Sequence, residues 1–431
     1  MTWFFNLSQS MDFSETPPSS GVSKVAMLGT FPPLRGLSSY CLELSLAMAD
    51  LVQVEFISFK KLYPGFLYPG GHLKEDHSFP AAKHELLKVN RRLTWYNPLT
   101  WITAAVSTKA DILHAQWWSL PLAAVYACIC AIFKLRGKPI IFTVHNVLSH
   151  ERSRLYQIVS HWLFKLGDHF IVHTAKNRRQ MEASYGIARD RISVVPHGSL
   201  DFHVKHHIDR DTIRQEFGID SGHKVILLFG AVRSYKGVDT ALKAFSKVLP
   251  EVPEALLMVA GKLWQKWEPY QELMSTLAIA DSVKTFLEYI PSGDVYKYFE
   301  AADLVILPYH HFDSQSGIGG TAVSFRKPMI VSDVGGLPDL VKNREYVVPP
   351  KDTEALARCM IECLKDQSRL AAMAADAETV AAEFSRSSIA QKTWAIYGNL
   401  LKAKENDLIR IRTTRQDKLI TKGQKHEKPM R

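Results

Sequence analysis

Two cations and a glycine-rich loop are the residues of this 431-residue chain best suited to holding an anion. The segment Phe229-Gly-Ala-Val-Arg-Ser-Tyr-Lys-Gly237 leaves an apolar run, Lys224-Val-Ile-Leu-Leu-Phe229, and opens a helical pattern. Arg233 and Lys236 therefore project from a strand-to-helix loop, three residues apart. A guanidinium grips phosphate through two parallel N–H bonds and an ammonium acts as a point charge, so the pair suits a diphosphate. Standing alone, the pair would read as solvated surface charge. Downstream, Leu304-Val-Ile-Leu-Pro-Tyr-His-His-Phe-Asp-Ser-Gln-Ser-Gly-Ile-Gly-Gly-Thr-Ala-Val-Ser-Phe325 runs from a strand through a Ser/Gly-rich loop into a helix. Gly317, Gly319 and Gly320 let the backbone approach a ligand closely, and the helix behind them points N–H groups at an anion. In Asp333-Val-Gly-Gly-Leu-Pro-Asp339, Gly335 and Gly336 permit a tight turn and Pro338 suits a first helical turn. In the front half, Thr30-Phe-Pro-Pro-Leu-Arg-Gly-Leu-Ser-Ser39 also joins a strand to a helix, which brings Gly36 near a ligand crossing a cleft.

The elements that must position these loops are legible as apolar runs of strand length. Val25-Ala-Met-Leu, Val52-Gln-Val-Glu-Phe-Ile, Asp111-Ile-Leu-His, Pro139-Ile-Ile-Phe-Thr-Val, Phe170-Ile-Val-His and Ile192-Ser-Val-Val alternate with helical patterns near 38–49, 119–135, 151–166 and 176–185. The pattern then restarts with strands at Lys224, Ala255, Val283, Leu304 and Met329, separated by helices near 239–249, 267–278, 293–301 and 353–365. Strands alternating with helices mean βαβ units, so the fold class is α/β with two Rossmann-like, doubly wound domains facing across a cleft. The polar, His-rich stretch 201–222 marks the boundary. The division expected is 1–205, 206–385, a helix over 386–402 that crosses back to the first domain, and a basic tail over 403–431.

The formal net charge is +10, from 53 Lys+Arg and 43 Asp+Glu. It divides as +8 over 1–210, −4 over 211–400 and +6 over the remainder. A basic front half points to an anionic partner: a membrane surface, a phosphorylated substrate or nucleic acid. An ordinary apolar fraction of 46% excludes a wholly disordered or fibrous chain. Five cysteines without a CxxC pair argue against a disulfide framework, and Met1-Thr-Trp-Phe-Phe-Asn lacks the basic region of a signal peptide. The apolar run 119–133 is short of the ~20 residues that span a bilayer and is expected to form a buried helix flanking the first sheet. His203, His206, His207 and the His310-His311 pair read as polar loop residues in preference to a metal site, and Cys359 and Cys363 as buried small side chains on one helix face. Neither GxGxxG after a strand nor GxxxxGK[ST] occurs, so dehydrogenase and P-loop readings lose their main signals.

Taken in order, the FPPLRG loop, DILHAQ (111–116), FTVHN (142–146), VVPHG (194–198), RSYKG, ADLVILPY and SDVGGLPD resemble the retaining GT-B glycosyltransferases of the family-four, or glycosyl transferases group one, type. The resemblance covers roughly 22–400 and implies roles residue by residue. Arg233 and Lys236 look like the pair that holds the donor diphosphate. The Gly317–Ile318 backbone resembles the loop on the distal phosphate and donor sugar, and Tyr289, Ile290 and Pro291 the wall for the base. Gly36 looks like the first-domain glycine near the reacting sugar. His145 resembles a histidine at the donor–acceptor junction, with a buried structural histidine as the competing reading.

Two departures stand out. Many members carry two glutamates eight positions apart; here the first falls on Asp313 and the second on Thr321, which offers ribose only a weaker hydrogen bond. Gln315 and Ser316 are then expected to take over sugar contacts. The arginine also precedes the lysine by three residues, where the commoner form has five. The resemblance implies transfer of a hexosyl unit with retention, the leaving diphosphate taking the acceptor proton from the same face, with no cofactor and no metal. It points to envelope or exopolysaccharide biosynthesis, with a nucleotide sugar and a glycan or lipid-linked acceptor as partners and no nucleic acid. The expected location is cytoplasmic, peripheral on the inner face of the membrane. Lys60, Lys61, Lys83, Lys88, Arg91 and Arg92, interleaved with Tyr63, Phe66, Tyr68 and Trp95, form the face expected to dock there. A GT-B epimerase or phosphorylase, or a non-catalytic sugar-nucleotide binding protein, remain the alternatives.

Overall fold

The computed structural model describes residues 22–64, 75–148, 154–199 and 209–424, with side chains as far as 406. Phe66, Tyr68, His203, His206, His207 and the expected boundary at 205/206 lie outside the described residues.

The first sheet holds β1 (Lys24–Leu28), β2 (Gln53–Lys61), β3 (Leu87–Thr94), β4 (Ile112–Trp117), β5 (Ile140–Val144), β6 (His169–Val172) and β7 (Ile192–Val194). Its order is β3-β2-β1-β4-β5-β6-β7, parallel throughout. The second sheet holds β8 (Lys224–Phe229), β9 (Ala255–Ala260), β10 (Val283–Phe286), β11 (Leu304–Leu307), β12 (Met329–Ser332) and β13 (Val347–Val348), in the order β10-β9-β8-β11-β12-β13. In each sheet the order reverses beside the first strand, and ligands of such sheets sit outside the carboxyl ends at that switch point. The loops after β1, β8 and β11 open there, which is why the FPPLRG, RSYKG and glycine-rich segments are found together.

Between the strands of the first half run α1 (Ser38–Ala49), α2 (Pro98–Ser107), α3 (Ala123–Leu135), α4 (Arg154–Phe164) and α5 (Ala175–Tyr185). The second half adds α6 (Arg210–Glu216), α7 (Val238–Val248), α8 (Glu268–Thr276), α9 (Val295–Ala301), α10 (Gly317–Ser324), α11 (Thr353–Lys365) and α12 (Gln367–Glu383). Alternate residues of β1 face opposite layers, as the period of two in a strand requires. Ala26 and Leu28 pack with Trp101, Tyr126 and Phe133 of α2 and α3, whereas Val25 and Met27 pack with Leu42 and Met48 of α1.

The last helix, α13 (Arg386–Gln424), returns to the first sheet, burying Ile389, Ala390 and Tyr397 against that second layer. Tyr397 reaches the sheet itself, with its hydroxyl 2.6 Å from His114 Nδ1. The helix runs unbroken through residue 403. The apolar segment at 119–133 does form a helix on the first sheet, but only Val125, Tyr126, Ile129, Cys130 and Phe133 of α3 are buried. Among the described residues no helix is long and apolar enough to cross a membrane.

Candidate functional site

The spacing of Arg233 and Lys236 acquires its meaning from local backbone geometry. Ser234–Lys236 is one turn of 3-10 helix with Arg233 at its N-cap, closed by a 2.9 Å bond from the Lys236 N–H to the Arg233 carbonyl. The turn brings the two cations into the same strand-to-helix loop, with Arg233 extended at its N-cap and Lys236 at its end. Gly237, at φ +72°, ends the turn in a conformation that favours glycine. A side-chain carbon there would overlap the Pro308 carbonyl oxygen at the end of β11. The β8 and β11 loops are thus pressed together, and a 2.7 Å bond from the His310 N–H to the Tyr235 carbonyl ties them.

Lys236 is 7% exposed, and among the described residues no carboxylate pairs with it. Its ammonium donates to the Tyr309 hydroxyl, which lies 3.3 Å from Ser316 Oγ. Ser316 in turn accepts the Gly319 N–H as N-cap of α10. One hydrogen-bonded chain therefore joins the buried cation to the helix N-terminus. Burial pushes the Lys236 ammonium below its usual range, and the Arg233 charge adds to that against the opposing effect of Tyr235. Arg233 lies over the Trp264 ring, 3.7 Å from its centroid. Among the described residues neither cation has a carboxylate partner, and Lys236 with the α10 N-terminus offers an anion both charge and N–H donors. Ile318 closes its floor, packing over Gly230 beside Lys236.

Several expected site residues are engaged elsewhere. Thr321 is buried and its hydroxyl donates to the Gly317 carbonyl one turn back, at 3.0 Å. Gln315 accepts the His197 N–H at 2.6 Å, so it bridges the two halves. Asp313 pairs with Lys176 at 3.3 Å, and its carbonyl accepts from Asn177, both on α5 across the cleft. Gly36, at φ +92°, stands open to the cleft with only Trp118 near the position of a missing side chain. Ile290 and Tyr289 line an open pocket of about 480 Å³ beside β10, with Phe217 and Lys297.

His145 belongs to a buried chain. Its Nε2 lies 3.0 Å from Gln116 Oε1 and its Nδ1 3.0 Å from His173 Nε2, while His173 Nδ1 faces the Val195 carbonyl at 3.0 Å. A carbonyl only accepts, so His173 carries its proton on Nδ1. Burial, reinforced by His197, holds His173 down to about 3 and keeps it neutral. Its Nε2 must then accept from His145 Nδ1–H, which leaves His145 Nε2 as an acceptor. The Gln116 amide satisfies it by presenting its NH2, a group otherwise buried without a partner. Both ring nitrogens of His145 are thereby occupied. Tyr40 packs edge-on against His145 and lies against His197, 4.8 and 4.7 Å between ring centroids. A signal for this cluster was present in the sequence: β5 and β6 each end one residue before a histidine and β7 three before, and adjacent parallel strands bring those ends together.

Asp76 belongs to none of the sequence motifs, yet it is 4% exposed at the junction of the halves. Tyr289 Oη donates to its Oδ2 at 2.7 Å, as do the Ser292 N–H and hydroxyl at 3.0 and 2.9 Å. Arg35 covers the Tyr289 ring at 3.3 Å. Burial raises the Asp76 carboxyl, but the bonds from Ser78, Ser292 and Tyr289 outweigh it and bring the group from 3.8 to about 2. The tie is in full force above 3.8 and is lost as pH falls through about 2. Asp76→Ala strands the Tyr289 hydroxyl and the Ser292 N–H, so the variant is expected to scatter X-rays at neutral pH as a more open particle than the wild type. Identical scattering curves would remove Asp76 as a latch.

Among the described residues no group of three or more His, Cys, Asp or Glu is arranged to hold a metal. Residues 209–380 match the family described as glycosyl transferases group 1, and residues 34–199 match glycosyltransferase family 4. The D-inositol 3-phosphate glycosyltransferase of Nocardia farcinica is 28% identical over 294 residues, 64% of this chain and 63% of that one. This chain thus spans less than two thirds of the Nocardia relative it matches. The Thermobispora bispora protein of the same name is 23% identical over 85% of this chain and 90% of its own. Among solved structures, HepE of Anabaena bound to UDP and glucose superposes with a TM-score of 0.65 at 16% identity, covering 86% of this chain and 98% of that one. Sucrose-phosphate synthase of Thermosynechococcus elongatus gives 0.65 at 17% identity, covering 88% and 100%. At such identities the likeness concerns the fold, two Rossmann-like domains of the GT-B type.

Proposed function

Since the chain belongs to the glycosyl transferases group 1 family and has the GT-B fold, we propose that it moves a hexosyl unit from a nucleotide-diphosphate sugar to a glycan or lipid-linked acceptor, with retention and without a metal. One observation carries the reading: Lys236 is a buried ammonium without a carboxylate partner among the described residues, hydrogen-bonded through Tyr309 and Ser316 to the N-terminus of α10. A buried charge is costly when unpaired and favourable once a diphosphate lies on it. The chemistry then rests on this chain's fixed groups. Arg233 and Lys236 neutralise charge growing on the departing diphosphate, and the α10 N–H groups hold its distal phosphate. The leaving oxygen takes the acceptor proton from the face on which the acceptor attacks, which agrees with His145 having both nitrogens bonded and Asp313 being turned to Lys176.

The relatives' names carry a phosphorylated inositol acceptor. Transferred to this chain, an acceptor bearing phosphate suits the first half, with its net charge of +8. Envelope or exopolysaccharide biosynthesis is the setting in which such an acceptor would be met. A second reading, a sugar-nucleotide binding protein without turnover, is favoured by Thr321 alone, whose hydroxyl is spent inside its own helix. A panel of nucleotide sugars with and without inositol phosphate or lipid extract, followed for nucleoside diphosphate release and for the anomeric configuration of the product, tests both. Release with an α-configured product from an α-configured donor is expected. Binding without release under every condition leaves only the second reading.

A further inference from the structure

The helical layer over the first sheet has an outer surface that the cleft chemistry leaves unused. Helices α2, α3 and α4 lie side by side there, each burying one flank in the core. On their outer flanks Leu99, Ile102 and Val106 of α2 and Leu155, Ile158 and Trp162 of α4 are exposed. Each triplet follows i, i+3, i+7, so each forms a single stripe along its helix. These are not grazing exposures, since Leu99 and Trp162 keep 69% and 64% of their surface. Between the stripes runs α3, which has no charged side chain from Ala123 to Phe133 and ends in Leu135, 88% exposed. Scattered surface apolar residues are ordinary, but a continuous apolar face over three helices marks an interaction surface.

Its charge identifies the partner. From Leu86 to Asp168 the acidic residues are Asp111, Glu151 and Asp168, against ten Lys and Arg, and Asp168 is held by Lys134 at the end of α3. Asp111 is occupied at the sheet edge, accepting from Ser23 and the Lys24 N–H and pairing with Lys138. Because the three helices follow parallel strands in βαβ units, their C-termini share one end of the layer. Lys109, Arg136 and Lys165 stand there, so a cationic border edges the apolar face. Lys165 lies over the Trp162 ring at 3.6 Å, its stem along apolar surface and its ammonium at the rim. Pairing two copies about a two-fold axis along the helices would set this basic border against its own equivalent. The face initially expected to dock is less suited: Tyr63 is buried and bonded to Ser119, Trp95 is packed against the core, and Arg91 donates to the Pro32 carbonyl.

We propose that the outer face of α2, α3 and α4 docks on an anionic lipid bilayer, the two stripes entering the headgroup boundary and the cationic border meeting lipid phosphates. This goes beyond the transferase reading and does not rest on it. The test is flotation of the full chain with vesicles of phosphatidylglycerol and phosphatidylcholine in equal parts, beside pure phosphatidylcholine, at low and high salt. The wild type should float with the anionic vesicles and release as salt rises. Ile158→Glu with Trp162→Glu should lower vesicle affinity at least about tenfold while thermal melting and nucleotide titration stay unchanged, because both residues are exposed. Flotation indifferent to phosphatidylglycerol, wild-type flotation of the double variant, or a solution dimer that the double variant splits into monomers would each overturn the proposal.

Discussion

Lys236→Met is expected to lower kcat/KM by about a hundred- to a thousandfold, the loss found when a preorganised group facing developing charge is removed. That corresponds to about 3–4 kcal/mol of transition-state stabilisation. The same substitution should leave the thermal midpoint unchanged or raise it. The ammonium is buried against a hydroxyl and repelled by Arg233, an environment that disfavours its charge. Methionine fills a similar volume without that charge. Tyr309 loses one partner but stays within 3.3 Å of Ser316. Opposite signs for activity and stability are the signature of a group held ready for a ligand. Activity and melting measured on one preparation decide it, and a parallel loss of both would make Lys236 a structural residue.

Two glycine substitutions should separate the scaffold of the site from its ligand surface. Gly237→Ala forces φ +72° on a residue with a side chain and drives its Cβ into the Pro308 carbonyl oxygen. Left-handed backbone alone costs about 1–2 kcal/mol. With the overlap added, the total should reach about 4 kcal/mol and pull the β8 and β11 loops apart. Gly317→Ala meets only His197 Cε1, at 3.8 Å, and sits at the first position of α10. Its fold should survive intact, yet its methyl would stand where a phosphate must approach the helix N-terminus. Thermal melts should distinguish the two variants sharply, while donor titration should show losses for both. A Gly317→Ala protein that binds donor as the wild type does would move the distal phosphate away from α10.

How much of this was legible depended on whether the cause was local. The strands β1, β4, β5, β8, β9, β11 and β12 read directly as apolar runs because both faces of a parallel sheet are covered. β3, Leu-Lys-Val-Asn-Arg-Arg-Leu-Thr, escaped because it is an edge strand, with Lys88, Arg91 and Arg92 exposed. Charge on an edge guards it against pairing with other chains and erases the apolar pattern. Arg233, Lys236 and the glycine loop could be found because each follows a readable strand. Asp76 could not, since its partners Tyr289 and Ser292 lie more than two hundred residues away and meet it only when the halves come together. The engagement of Thr321, Gln315 and Asp313 was equally hidden. Residue type announces a capacity for hydrogen bonding, and only the packed structure decides where it is spent.

The central claim, that Arg233, Lys236 and the α10 N-terminus form a diphosphate cradle, is tested most directly by calorimetric titration with a nucleoside, its monophosphate and its diphosphate. Affinity should rise steeply with each phosphate and fall with salt, and Lys236→Met should lose at least about a hundredfold for the diphosphate while binding the bare nucleoside as the wild type does. Equal affinity for all three ligands, or a diphosphate affinity unmoved by the substitution, would contradict the account.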